Sequence, residues 1–308
     1  EFIFPCLRKM LLFCIEIAHS KMKVIDNIVE LQNELFEVRK EGKSIGLVPT
    51  MGALHEGHAS LVRRSVKEND ITVVSVFLNP TQFNDKGDLE RYPRTLDHDC
   101  TLMDECGADI VFAPSVKEMY PTPDTRKFEF PPVTTVMEGA HRPGHFNGVC
   151  QVVSRLFYIV TPDRAYFGEK DWQQIAVVKE LVRYIGASVK IVECTTIREE
   201  DGLAKSSRNS LLTASERAIA PHIYSVLKES VAFSQNHSPK ETHDYVVKNI
   251  DKEDGLEVEY FSIVNGNTLT DVSTWDENEY IVGCITVYCG NTPIRLIDHI
   301  TYRKAVEK

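Results

Sequence analysis

Short apolar runs alternate along the first two-thirds of the chain with stretches in which apolar side chains recur every three or four residues. The runs at 45–48, 71–78, 108–112, 165–167 and 189–192 predict buried strands, and the periodic stretches at 59–68, 96–105, 149–159 and 173–184 predict helices between them. Gly107 and Gly186 stand just past two of these helices, where a chain leaving a helix favours glycine. With an amphipathic helix expected over 24–40, the alternation predicts a parallel sheet covered by helices, an α/β fold of Rossmann-like type. Beyond Arg198 the pattern changes. Helical stretches at 214–233 and 241–250 precede alternating runs at 256–264, 280–288 and 294–297, which predict a smaller α+β domain built on an antiparallel sheet. The expected organisation is an extension over 1–21 outside the fold, a Rossmann-like domain over 22–197 and a C-terminal domain over 198–308.

The run Val48-Pro49-Thr50-Met51-Gly52-Ala53-Leu54-His55-Glu56-Gly57-His58 joins the first predicted strand to a helix. Gly52 and Gly57 allow a sharp turn or a close approach of backbone to ligand. The start of a helix carries unpaired N–H groups and the positive end of its dipole, so it favours an anion. His55 and His58, three residues apart, share a helical face and add two donors that can offset charge on a phosphoryl oxygen. An isolated pair of this kind also fits idle loop histidines or two metal ligands. A zinc helix would need H-E-x-x-H, and here Gly57 breaks that spacing.

Composition narrows the partners. The 308 residues carry a net charge of −10, which argues against a nucleic-acid partner because such binding needs a basic face. Eight scattered cysteines without a C-x-x-C pair read as reduced thiols of a cytoplasmic protein. The segment Met10-Leu11-Leu12-Phe13-Cys14-Ile15-Glu16-Ile17-Ala18 imitates a signal peptide. Glu16 interrupts it, and it is too short to span a bilayer, so no membrane partner is expected and the natural start is placed at Met22.

Three further clusters stand at strand ends or at the domain junction. Asn79-Pro80-Thr81-Gln82-Phe83 leaves the second strand, and Gln82 offers both a donor and an acceptor, suited to a hydroxyl and a carboxylate together. Gly168-Glu169-Lys170-Asp171-Trp172-Gln173-Gln174 follows the fourth strand. There Gly168 permits close approach, Lys170 supplies a mobile cation, Asp171 can cap the next helix or accept from a ribose hydroxyl, and Gln174 shares a face with Lys170. Lys205-Ser206-Ser207-Arg208 has the makings of a phosphate clamp, with hydroxyl donors flanked by cations. Arg142-Pro143-Gly144-His145-Phe146-Asn147-Gly148 is a further polar turn that receives no chemistry. Gly42-Lys43-Ser44 is not a phosphate-binding loop, because Glu37 occupies the first glycine position and a strand follows instead of preceding it.

Taken together, P-T-M-G-x-L-H-x-G-H, N-P-x-Q-F, G-E-K-D-x-Q-Q and S-S-R-N resemble the pantothenate synthetases, pantoate–β-alanine ligases of a nucleotidyltransferase superfamily that includes class I aminoacyl-tRNA synthetases. The likeness runs from about Met22 to the C-terminus. It implies adenylation of D-pantoate by Mg–ATP, with release of pyrophosphate, and then attack of β-alanine on the pantoyl adenylate with release of AMP. It further implies a cytosolic homodimer whose C-terminal domain acts as a lid. By the family's pattern His58 is the catalytic proton donor, assisted by His55, Lys170 and Arg208. ATP is held by Met51, Gly52, His55, Gly57 and His58, by Gly168, Glu169, Lys170 and Asp171, and by Ile197, Lys205, Ser206, Ser207 and Arg208. Gln82 and Gln174 hold pantoate, with Gln82 also near β-alanine. Two departures stand out. Lys205 replaces the family's usual methionine, and the acidic cluster that some members use for metal reads Asp97-His98-Asp99, so no protein ligand for Mg2+ is assigned. The competing expectations are another nucleotidyltransferase of this superfamily or a nucleotide-binding relative without turnover.

Overall fold

The computed structural model describes residues 22–84, 86–291 and 294–304. The expectation for 1–21 lies outside the described residues. A six-stranded parallel sheet forms from β1 (Lys23–Ile25), β2 (Ile45–Thr50), β3 (Ile71–Val76), β4 (Ile110–Phe112), β5 (Arg164–Gly168) and β6 (Lys190–Cys194), in the order β1-β4-β3-β2-β5-β6. Covering helices are α1 (Ile28–Lys40), α2 (Glu56–Glu68), α3 (Leu96–Glu105), α4 (His145–Val160) and α5 (Trp172–Ile185). The central strands are almost wholly buried, as strands covered on both faces must be: Ile45, Leu47, Val48, Val73, Val74 and Ala165 are sealed from solvent. Strand order reverses between β2 and β5, whose carboxyl ends lead into the loops at 51–55 and 168–171. Ligands of open α/β sheets bind at such a reversal, because diverging connections leave a crevice there.

The second part is smaller. Helices α6 (Ala214–Ile219), α7 (His222–Phe233) and α8 (Pro239–Ile250) accompany an antiparallel sheet of β7 (Leu256–Asn265), β8 (Ile281–Cys289) and β9 (Ile294–Arg303). It has its own core, in which Ile223, Val226 and Leu227 of α7 and Val246 and Ile250 of α8 pack with Phe261, Ile285 and Val287 of the sheet.

Element type agrees with the sequence pattern nearly throughout, and the exceptions have local causes. Residues 24 and 25 of the expected first helix belong to β1, and Asn27 starts α1 by accepting the amide of Glu30 at 3.0 Å. The single helix expected over 214–233 is two, because Pro221 stands at the break, where its ring leaves no N–H to continue a ladder. Strand β9 continues to Arg303, six residues past the expected end, with β8 pairing along its whole length. Gly186 adopts φ +64 and Gly107 φ +84, the left-handed conformation that ends their helices. The six described cysteines are unpaired thiols.

Candidate active site

The loop after β2 is held by a reciprocal cap. His55 is the N-cap of α2, and its Nδ1 accepts from Gly57 N at 3.1 Å while Nδ1 of His58 accepts from His55 N at 3.3 Å. A Cβ on Gly57 would lie 2.8 Å from Cε1 of His55, so the glycine in H-E-G-H makes room for the first histidine's ring. With each Nδ1 used as an acceptor, each ring carries its proton on Nε2 and remains a donor. Burial, reinforced by the charges of Lys170 and Lys205, pushes His55 down to about 4. Burial, then His55 and Lys170, pushes His58 well below the ordinary imidazole range. Both rings are therefore neutral N–H donors near pH 7.

The preceding turn is anchored from α3. Gly52 and Ala53 have φ +85 and +51, and the buried carboxylate of Asp99 accepts from Ala53 N at 3.0 Å, Leu54 N at 2.8 Å and Thr95 Oγ1 at 3.1 Å. A carboxylate held by backbone amides fixes a loop firmly, since charge-assisted bonds are the stronger kind. Asp99 of the acidic cluster is thus occupied with the loop. Among the described residues no group of three His, Cys, Asp or Glu side chains could hold a metal ion.

His55 and His58 open into a cavity lined also by Gly57, Gly168, Lys170, Asp171, Gln174, Ile197 and Lys205. Lys170 pairs with Asp171 at 3.3 Å and Lys205 with Glu199 at 2.6 Å, so both cations sit in defined places. Thr196 Oγ1, in the same wall, is buried without a hydrogen-bond partner among the described residues, a polar atom left for a ligand. A second cavity shares Lys170, Asp171 and Gln174 and adds Ser206 and Arg208 with Glu138, Arg142, His145, Tyr260, Arg295 and Asp298. Glu138 organises this side. Its carboxylate accepts from Tyr260 at 3.0 Å, Thr286 at 2.9 Å and both terminal nitrogens of Arg295 at 3.0 and 2.8 Å. Burial opposes the charge, but Arg295 and Arg142 outweigh it and hold the carboxyl down at about 2. Arg198 pairs in bidentate fashion with Asp298, and Trp172 Nε1 donates to the carbonyl of Gly266, so the site's walls belong to both sheets.

Most of the expected site residues meet at these cavities; five do not line them. Met51 and Gln82 lie together outside the lining of both cavities, with Gln82 Nε2 donating to Met51 Sδ at 2.9 Å. Gly52 belongs to the Asp99-anchored turn, and Glu169 is in the lining of neither cavity. Ser207 donates to the carbonyl of Ala53 at 2.9 Å, so its hydroxyl joins two loops instead of facing a phosphate, and Ser206 caps the following turn by accepting from Arg208 N at 3.2 Å. Asp171 makes no side-chain cap on α5, because its carboxylate turns to Lys170. Sequence reasoning missed Glu138, Arg295 and Asp298. Arg142 and His145 stand in the polar turn at 142–148, which had received no chemistry, and nothing local marks a glutamate whose hydrogen-bond donors Tyr260, Thr286 and Arg295 are 122 to 157 residues away.

Comparison with known proteins agrees with this geometry. The model of the Pantoate-beta-alanine ligase family matches residues 23–301. The chain belongs to the pantoate–β-alanine ligase family. It is 60% identical to the pantothenate synthetase of Bacteroides thetaiotaomicron over 283 residues, 92% of this chain and 100% of that one. The pantothenate synthetase of Porphyromonas gingivalis is 54% identical over 91% of the chain and 99% of its own length. Among solved structures, pantothenate synthetase from Thermus thermophilus superimposes with a TM-score of 0.85 at 41% identity, covering 92% of this chain and all of that one. Pantoate–β-alanine ligase from Francisella tularensis, solved with β,γ-ATP and β-alanine, superimposes with a TM-score of 0.76 at 34% identity over 91% and 98% of the two chains. The chain is thus a ligase of pantothenate biosynthesis with a nucleotide-binding, Rossmann-like sheet.

Proposed function

We propose that the chain condenses D-pantoate with β-alanine in two steps at the paired cavities. In the first, a carboxylate oxygen of pantoate bonds to the α-phosphorus of ATP and the bond to the β-phosphate breaks, releasing pyrophosphate. In the second, the amine nitrogen of β-alanine bonds to the acyl carbon and the acyl–oxygen bond breaks, so AMP departs with the electron pair and the amine proton passes to solvent. The main demands of the first step are alignment and offset of charge on the phosphates.

The observation that carries this reading is the pair of neutral imidazoles capping α2, each with Nε2–H available, in one cavity with Lys170 and Lys205. The N-terminus of α2 adds its dipole to them. In this reading His58 acts on the developing phosphate charge as a hydrogen-bond donor and His55 is its phosphate-binding companion. Lys170 and Arg208 neutralise oxygens on the opposite side. Gln174, which lines both cavities, and Gln82 hold pantoate, and Gln82 also serves β-alanine. Mg2+ enters as part of the substrate, Mg–ATP, since Asp99 is committed to the loop. The chain region 198–308 serves as the closing half, which keeps the adenylate from water.

The proposal extends to a cytoplasmic homodimer. Tyr158, Tyr184 and Ile185 stand exposed on α4 and α5 and offer an apolar face for a second copy. Light scattering of the purified protein measures the assembly, and a monomer at micromolar concentration removes that part.

The deciding experiment is ATP–pyrophosphate exchange with and without D-pantoate, followed by AMP release on addition of β-alanine. Exchange is expected only with pantoate. Exchange that proceeds equally without it overturns the reading.

A further inference from the structure

The turn at 142–148 reaches the glutamine that lies outside the lining of both cavities. His145 begins α4, is buried, and places Nδ1 2.9 Å from the main-chain carbonyl of Gln82. A carbonyl only accepts, so the proton is on Nδ1 and Nε2 is an acceptor, which Arg142 meets with a terminal nitrogen at 3.3 Å. Both ring nitrogens are engaged, and the ring plane is set by two partners. Burial, followed by the charge of Arg142, pushes the imidazole down to about 4, which keeps it in the neutral form that these bonds require.

The side chain of Gln82 is held by Asn79, which is itself tied to the same helix. Asn79 Nδ2 donates to Gln82 Oε1 and to the carbonyl of Gly148, each at 3.1 Å. A Cβ on Gly148 would lie 2.3 Å from the carbonyl oxygen of Thr81, so α4 packs backbone to backbone against the turn Pro80–Gln82. His145 also lines the cavity of Gln174 and Arg208.

We propose that His145 is a positioning residue for the acid substrate: through Nδ1–H it holds the main chain of Gln82 and so sets where the Gln82 amide meets pantoate. The inference rests on Gln82 as a pantoate ligand. It assigns His145 no proton transfer, because neither ring nitrogen faces an open partner.

The test is steady-state kinetics of His145→Ala, His145→Asn and His145→Gln, with KM measured separately for D-pantoate and ATP. The asparagine amide nitrogen falls near the place of Nδ1, whereas that of glutamine reaches toward Nε2. Alanine and glutamine are expected to raise the pantoate KM at least about tenfold with the ATP KM within about threefold, and asparagine to recover most of the loss. If the alanine protein does not fold, the asparagine and glutamine variants still separate the two nitrogens. In a Gln82→Ala background, His145→Gln should add less than about twofold to the pantoate KM, since the two act as one unit. Pantoate and ATP KM rising together, asparagine no better than glutamine, or full additivity with Gln82→Ala would each overturn the inference. Wild-type exchange indifferent to pantoate overturns the functional reading and this inference together; pantoate-dependent exchange with unaltered KM in the variants overturns this inference alone.

Discussion

The two cavities share Lys170, Asp171 and Gln174 but are built by opposite means. The one at His55 and His58 is local: its cap closes within four residues, its turn hangs on one carboxylate from α3, and its strands are neighbours in the sheet. The one at Glu138 is assembled from partners more than a hundred residues apart, with Tyr260, Thr286 and Arg295 of the antiparallel sheet converging on a short turn of the first part. The difference separates two kinds of failure. Damage to the capped loop of the first cavity should slow chemistry while the fold survives, and damage to the Glu138 network of the second should loosen the whole chain.

The largest effect is expected at Glu138. Glu138→Gln keeps the shape and removes the charge, leaving the half-buried Arg295 with Glu259 as its remaining carboxylate partner among the described residues. Breaking a buried pair by removing one member costs up to about 3–5 kcal/mol, so the unfolding free energy should fall by up to that amount, seen as a lower urea midpoint at unchanged slope. An unaltered midpoint would mean that this network does not join the two sheets energetically.

His58→Ala is expected next. Adenylation in a single turnover should slow at least about a hundredfold, roughly 2.7 kcal/mol, and near-normal kinetics would remove His58 from the mechanism. The pH dependence of stability sharpens the contrast between the cavities. His55, His145 and His299 are held down at about 4 by burial, so the fold keeps them uncharged while the unfolded chain takes up protons below about 6.5. Stability should therefore decline as pH drops from about 6.5 toward about 4. Glu138, held at about 2, contributes above its ordinary value of 4.5 and loses that contribution only as pH falls from there toward 2. Denaturation midpoints across this range should show both windows, and Glu138→Gln should erase only the lower one.

Two smaller effects probe the first cavity. Asp99→Asn leaves one loop amide facing an NH2 group, a loss of about 1–2 kcal/mol that should appear as a raised KM for ATP. An unchanged ATP KM would show that the turn at 52–54 needs no anchor. Lys205→Met should keep kcat/KM within about tenfold, under roughly 1.4 kcal/mol, because its ammonium is already paired with Glu199. A larger drop would show that the lysine acts on the nucleotide.

How much could be read along the chain follows the same division. His55, Gly57, His58, Lys170, Gln174 and Arg208 carried motifs legible within a few residues, and the structure brings them to adjoining cavities. Ser207 was legible as a polar residue, but whether its hydroxyl meets a phosphate or the carbonyl of Ala53 depends on a loop 154 positions away. Asp99 was visible as part of an acidic cluster, and only packing turned it toward the amides of Ala53 and Leu54. Pro221 was in plain sight within the stretch expected as one helix, and there the breaker outweighed the periodicity.

The alternation of apolar runs and helical periods by itself determined the parallel sheet, the change of character after Arg198 and the loops that hold the phosphate-binding motifs, because each of those features rests on spacings of two to four residues. Only the tertiary structure decided which nitrogen of His145 carries the proton, what Asp99 and Glu138 hold, and that Gln82 stands outside the lining of both cavities. Those outcomes depend on burial and on partners brought together by the strand order β1-β4-β3-β2-β5-β6 and by the second sheet. Ala53 and Asp99, Gln82 and His145, and Glu138 and Arg295 each stand too far apart along the chain for one window to hold both.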